Sequence, residues 1–145
     1  MITKIKVDGF KSLSDFELDL TPGLNILVGP NGSGKTNIVL FFEFLSHLIS
    51  NNLTDSISKV GGVGAIFRKN ETGYQPNITG NVYGSKKVRP GKWIFYEFMF
   101  NIVLSLEKDL IYYGKQSVRI KKTDRFISCQ DKIMDKIEWN FELRQ

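Results

Sequence analysis

Eight consecutive residues, Gly29-Pro30-Asn31-Gly32-Ser33-Gly34-Lys35-Thr36, constrain the fold of this chain more than any other segment. The three glycines at 29, 32 and 34 lack a Cβ, so a bend here can take left-handed angles and turn successive N–H groups to one side. The flanks set its geometry. Before the bend, Leu24-Asn25-Ile26-Leu27-Val28 is a mostly apolar run that predicts a strand buried on both faces. After it, Ile38, Phe41, Phe42, Leu45, Leu48 and Ile49 recur at spacings of three and four, widened by Val39, Leu40 and Phe44. That stripe predicts a helix from Lys35 to about Ser50-Asn51-Asn52, packed on a sheet.

Strand, glycine bend and helix in that order satisfy the pattern G-x-x-x-x-G-K-[ST] of a phosphate-binding loop. The helix start adds unpaired amides and the positive end of its dipole. In such a loop Gly29, Pro30, Asn31, Gly32, Ser33 and Gly34 wrap the phosphates, with Ser33 contributing mainly its N–H. Lys35 reaches the β- and γ-phosphates, and the Thr36 hydroxyl takes one position of an octahedral Mg²⁺. ATP and Mg²⁺ are the ligands expected. The alternative on residues alone is a glycine-rich strand-to-helix turn with an incidental lysine.

Elsewhere the pattern is mostly β. Ile2–Val7 is a short β-branched run stopped by Asp8-Gly9, and Phe16, Leu18 and Leu20 alternate on one face of a second strand before Thr21-Pro22-Gly23 turns the chain. A short second helix is expected from Thr54 or Asp55 to Val60, ahead of the glycine loop Gly61-Gly62-Val63-Gly64. Beyond it Ile94, Tyr96, Phe98, Phe100, Ile102 and Leu104 alternate with Trp93, Phe95, Glu97, Met99, Asn101 and Val103, which predicts a long strand. The aromatic run Trp93–Phe100 reads as core in preference to a platform for stacking bases. Further strands are expected at Asn77–Tyr83, Leu106–Tyr113 and Ser117–Lys122, with Gly114-Lys115 as a hairpin turn. Residues 133–143 fit helix and strand equally well.

Composition removes several classes of function. With 145 residues, 41% of them hydrophobic, the chain is a folding sequence of about one domain. Its one cysteine, Cys129, excludes an internal disulfide framework, and its one histidine, His47, leaves too few soft ligands for a zinc site. No apolar run is long enough to span a membrane and the opening MITKIKVDGF lacks a secretory signal, so an intracellular, cytoplasmic chain is expected. The net charge of +5 is unevenly spread. Residues 84–125 hold ten Lys/Arg against four Asp/Glu, while residues 1–60 hold five against six. If Lys115, Arg119 and Lys121 share a strand face they can track a nucleic-acid backbone, though lysine on edge strands also discourages aggregation.

The segments around the bend carry a resemblance. Ile5-x-x-x-x-Phe10-Lys11-Ser12, then Phe16-x-Leu18-x-Leu20, then Leu24 through the glycine loop to Asn37-Ile38 resemble the N-terminus of an SMC/RecF-type ABC ATPase head, a group that includes OLD-like defence and repair ATPases. The resemblance covers residues 1–50 closely and the remainder in layout only. It implies an α/β P-loop NTPase fold of ABC type, present as a partial head: strands, phosphate loop, helix, then an antiparallel β-subdomain. Chain 1–145 then divides into a phosphate-loop core at 1–60, a loop region at 61–90 and an incomplete β-subdomain at 91–145. The resemblance also places Lys11 and Ser12 near the nucleotide, although Lys11 reads equally well as a solvated turn residue. Arg68 falls where such heads carry a basic loop, and is otherwise a surface arginine. Gln75, Gln116, Gln130 and Gln145 are candidates for the magnesium-sensing glutamine, none of them in an assignable context.

Other parts of the family pattern do not occur. No four aliphatic residues precede an acid pair, no serine-glycine signature is present, and His47 lies too early for a switch histidine. Phosphoryl transfer is chiefly positioning and charge stabilisation, so a chain without the water-orienting acid and the opposing clamp is expected to bind nucleotide weakly and to hydrolyse it hardly at all. The implied partner is a C-terminal lobe or a second ATPase subunit in a head dimer, with DNA as a possible further partner, in DNA repair and maintenance or antiviral defence. A small self-contained P-loop kinase and a non-catalytic interaction subunit are the alternatives.

Overall fold

A computed structural model describes residues 1–71, 73–108, 110–123 and 139–142. In chain order it contains β1 (Ile2–Asp8), β2 (Phe16–Asp19), α1 (Lys35–Ser50), α2 (Leu53–Lys59), α3 (Val63–Ile66), β3 (Lys69–Asn70), β4 (Gly73–Tyr74), β5 (Asn77–Arg89), β6 (Lys92–Ser105), β7 (Leu110–Thr123) and β8 (Trp139–Glu142). Six strands form one sheet in the order β2-β1-β5-β6-β7-β8, every neighbouring pair antiparallel, and β3 and β4 form a separate ribbon. The architecture is therefore α/β with an antiparallel sheet. No helix among the described residues is long and apolar enough to cross a membrane.

Pairing register assigns the two faces of the sheet. Ile5, Val82 and Phe98 lie in one cross-strand row, and Val7, Gly80 and Phe100 in the next. With Ile78, Ile102 and Leu104 these rows form the covered face, and α1 presents Ile38, Phe41, Phe44, Leu45 and Leu48 to the same core. Aromatic rings hold the centre: Phe41 meets Phe10 edge-on at 5.3 Å and Phe100 at 6.4 Å, while Phe10 stacks on Phe44 at 5.4 Å. Phe10 reaches this position because residues 9–11 are clipped to residues 66–68, the Lys11 amide donating to Ile66 O and the Arg68 amide to Gly9 O. The turn after Phe10 is thus fixed from two sides.

Gly80 is required by close approach. A Cβ there would stand 2.3 Å from the Phe100 ring, which lies across β5. Gly80→Val is expected to cost about 1–3 kcal/mol of stability by overpacking this site. A urea midpoint equal to that of the wild type would show that the ring does not lie over the strand.

Several expected elements are corrected. Leu106–Tyr113 and Ser117–Lys122 are not two strands joined at Gly114-Lys115, because β7 runs through that point and the chain reverses between Ser105 and Leu110. Gly114 instead accommodates an irregularity in the ladder, where a Cβ would meet the Asn101 side chain at 2.5 Å. Trp93 and Phe95 are not core. They lie on the sheet face opposite α1 and are 38% and 42% exposed. Of the ambiguous stretch 133–143, only 139–142 falls within the described residues, and it is strand.

Candidate functional site

The glycine loop stands at the start of α1. Residues 29–33 are exposed, and Gly34 and Lys35 are half-buried. Gly34 is the N-cap residue with φ +90°, a left-handed angle that glycine takes without strain, and no side chain caps this end. The first backbone bond into the helix runs from the Ile38 amide to Gly34 O at 3.0 Å. The first amides of a helix have no carbonyl one turn back, so those at the start of α1 are available to an external acceptor. Gly32 is also left-handed, at φ +84°.

Lys35 folds back over its own loop. Its ammonium donates to Gly29 O and Pro30 O, both at 2.6 Å, and to Ser33 Oγ at 3.2 Å. An ammonium has three N–H donors, and the loop supplies three acceptors for them. Among the described residues no carboxylate pairs with this cation, and it sits beside the uncapped start of α1, an arrangement that suits an anion. Thr36 follows, exposed in the first helical turn.

Of the two turn residues, Ser12 is brought to this site. The Asn37 side chain donates to Ser12 Oγ at 2.7 Å, and a Cβ on Gly34 would lie 3.4 Å from the same hydroxyl. This bond between positions 25 residues apart was not foreseeable from spacing, and Asn37 is the residue that sequence reasoning passed over. Lys11 adopts a left-handed φ of +50°, and its ammonium lies 6.0 Å from the Phe10 ring centre. Gln75 donates to Asp8 Oδ2 at 2.8 Å, and Gln116 lies opposite Phe100 in β7. Gln130 and Gln145 lie outside the described residues. Partial burial disfavours the charged Asp8 carboxylate, but hydrogen bonds from Asp15, Gln75 and Ser14, with the Arg68 charge, prevail and hold its pKa below the usual aspartate value. Arg68 and Gln75 thus support the fold around Asp8.

The expected strand at Leu24–Val28 is absent. None of the described strands pairs with it, and Leu24, Ile26 and Val28 are 84%, 72% and 89% exposed. The Asn25 side chain accepts from the Thr21 amide at 3.0 Å and donates to Thr21 O at 2.9 Å, closing the turn that carries the chain off the sheet at β2. A strand needs a ladder partner on at least one side, and this segment has left the only sheet edge near it in sequence.

A hollow of about 210 Å³ between β1, β2 and β5 is lined by Lys6, Asp8, Asp15, Glu17 and Asn81 and does not include the glycine loop. Its carboxylates outnumber its one lysine, so it does not suit an anion. On the sheet face opposite α1, Lys115, Arg119 and Lys121 do share one side of β7, with Arg119 donating to Glu97 at 3.3 Å.

Comparison with known proteins identifies the family. A family model described as AAA ATPase domain matches residues 1–143. The DNA replication and repair protein RecF of Corynebacterium jeikeium is 36% identical over 59 residues, 41% of this chain and 14% of that protein. The Septu protein PtuA of Bacillus thuringiensis is 34% identical over 59 residues, again 41% and 14%. The DNA double-strand break repair Rad50 ATPase of Methanopyrus kandleri is 44% identical over 39 residues, 27% of this chain and 4% of that protein. The chain therefore covers a small part of the length of these relatives. With a family match over nearly its whole length, the chain belongs to the AAA ATPase domain family and is of the SMC/RecF-like ABC ATPase type.

Proposed function

We propose that residues 29–36 bind the phosphates of ATP with Mg²⁺, and that residues 1–145 act as one nucleotide-binding lobe of a larger head. The observation that carries this reading is the left-handed Gly34 N-cap, which leaves the amides of a 16-residue helix facing outward beside the Lys35 ammonium. The residues suit a magnesium polyphosphate. Amides at the helix start, Lys35 and Thr36, supply donors, whereas the Ser33 amide is bonded to Pro30 O at 3.3 Å; Lys35 supplies a positive charge and Thr36 a hydroxyl to the metal. Held there by Thr36, Mg²⁺ would supply neutralisation of phosphate charge. Ser12, tied to Asn37, holds the preceding turn against the loop.

The exposed apolar run Leu24–Val28 supports the second half of the proposal. Four exposed aliphatic side chains directly before the loop, Leu24, Ile26, Leu27 and Val28, are the surface that a C-terminal lobe, or a second ATPase subunit, covers by adding a strand. That partner also contributes the acid pair that orients water. By itself the chain binds ATP without turning it over at a useful rate. The repair proteins among the relatives support reading the complete head as one that acts in DNA repair or maintenance, with anti-phage defence as the other reading.

The test is a competition. A fluorescent ATP analogue is bound in magnesium buffer and displaced with inorganic triphosphate or with adenosine. Since the contacts are to phosphates, triphosphate is expected to compete and adenosine to fail. Displacement by adenosine as strong as by ATP, with none by triphosphate, would overturn the assignment.

A further inference from the structure

We infer that the outer face of the sheet, at the end formed by the β5–β6 hairpin, is a contact site for single-stranded nucleic acid. Two cross-strand rows build it. Lys87, Trp93 and Thr123 lie side by side on β5, β6 and β7, and the next row on the same face is Ser85, Phe95 and Lys121. The two aromatic residues occupy the middle strand, two positions apart and so roughly 6.6 Å along it, with a lysine on either flanking strand. Both rings are exposed, at 38% and 42%, on the side of the sheet that α1 does not cover.

Charge decides the class of partner. Residues 84–96 and 115–123 contain no Asp or Glu, and the pairing register puts Lys87, Lys115, Arg119 and Lys121 on this outer face. The nearest carboxylate in the rows is Glu97, which accepts from Arg119 at 3.3 Å and marks the inner border of the patch. Exposed rings in a flat sheet, bordered on both sides by cations, match a strand whose bases stack on the rings while its phosphates pass along the lysines. A duplex hides its base faces and would use the lysines alone. An anionic membrane would use the rings as an apolar wedge, and is the competing outcome of the experiment. The site lies on the face away from α1, so the inference does not rest on the nucleotide reading.

A fluorescein-labelled dT15 oligonucleotide is titrated with the full chain, following anisotropy at several salt concentrations. Expected are saturable binding that weakens as salt rises, and quenching of tryptophan emission that is lost in Trp93→Phe. Trp93→Ala/Phe95→Ala is expected to lose at least tenfold in affinity. Lys87→Ala/Lys121→Ala is expected to reduce the slope of log affinity against log salt by about 1.4, from two phosphate contacts at about 0.7 each. Because these side chains are exposed, both variants should keep the wild-type circular dichroism and bind ATP as the wild type does. No binding of dT15 at low salt, or equal affinity for the aromatic double variant, would overturn the inference. So would a stronger Trp93-dependent response to phosphatidylserine vesicles than to dT15.

Discussion

Phe41→Ala is expected to remove about 3–5 kcal/mol of stability, a large share of the roughly 5–15 kcal/mol that holds a domain of this size. Phe41 has no exposed surface and sits between two other rings, edge-on to Phe10 at 5.3 Å and 6.4 Å from Phe100. Truncation removes contacts to the turn after β1 and to the middle of the sheet together. The neighbours cannot close over the gap, because Phe10 is held by backbone bonds at 9–11 and Phe100 lies across Gly80. Val39 is the internal control: it is on the same helix and 60% exposed, so Val39→Ala should change stability by no more than about 0.5 kcal/mol. Urea unfolding of the two variants separates the cases. Equal midpoints would mean that α1 does not pack on the sheet through Phe41.

What could be read in advance follows from what periodicity encodes. The stripe from Ile38 to Leu48 specifies a helix because only that period brings those side chains to one side, and α1 occupies Lys35–Ser50. β1 and β2 follow in the same way from short runs ended by Asp8-Gly9 and Thr21-Pro22-Gly23. Leu24–Val28 shows the limit. Its apolar content reports that the segment is suited to burial but not what buries it, and among the described strands no partner stands beside it.

The residues of β6 make a related point. Alternation sets Ile94 to Leu104 apart as one apolar face, and that face packs in the core from Phe98 to Leu104. Both sides of the strand are rich in aromatic residues, however, so alternation alone cannot say whether Trp93 and Phe95 are covered as well. Register does, assigning Phe98, Phe100 and Ile102 to the core and leaving Trp93 and Phe95 outside. Gly114 reads locally as a turn, whereas its place opposite Asn101 and Val103 makes it a site of close strand approach. At the glycine loop, spacing picked out Gly29 to Thr36, but the Ser12–Asn37 bond depends on how the first turn folds back over α1.

Lys35→Ala is expected to weaken ATP binding roughly 10- to 100-fold while leaving the fold intact. The Lys35 ammonium bonds Gly29 O, Pro30 O and Ser33 Oγ in an exposed loop, so removing it returns those acceptors to water at little cost. With ATP bound, the same ammonium makes charge-assisted hydrogen bonds to phosphate oxygens, worth about 1.5–3 kcal/mol each, that water does not replace beside the helix start. The loss therefore falls on binding and not on stability. Lys35→Arg sharpens the test: the charge is kept, but a planar guanidinium cannot bond the carbonyls of Gly29 and Pro30 and a phosphate as a compact ammonium does, so an intermediate affinity is expected. The measurements are calorimetric titration with ATP in magnesium buffer and thermal unfolding of all three proteins. Unchanged affinity in Lys35→Ala, with unfolding unchanged, would mean that this lysine only braces its own bend and that the anion site must be sought elsewhere.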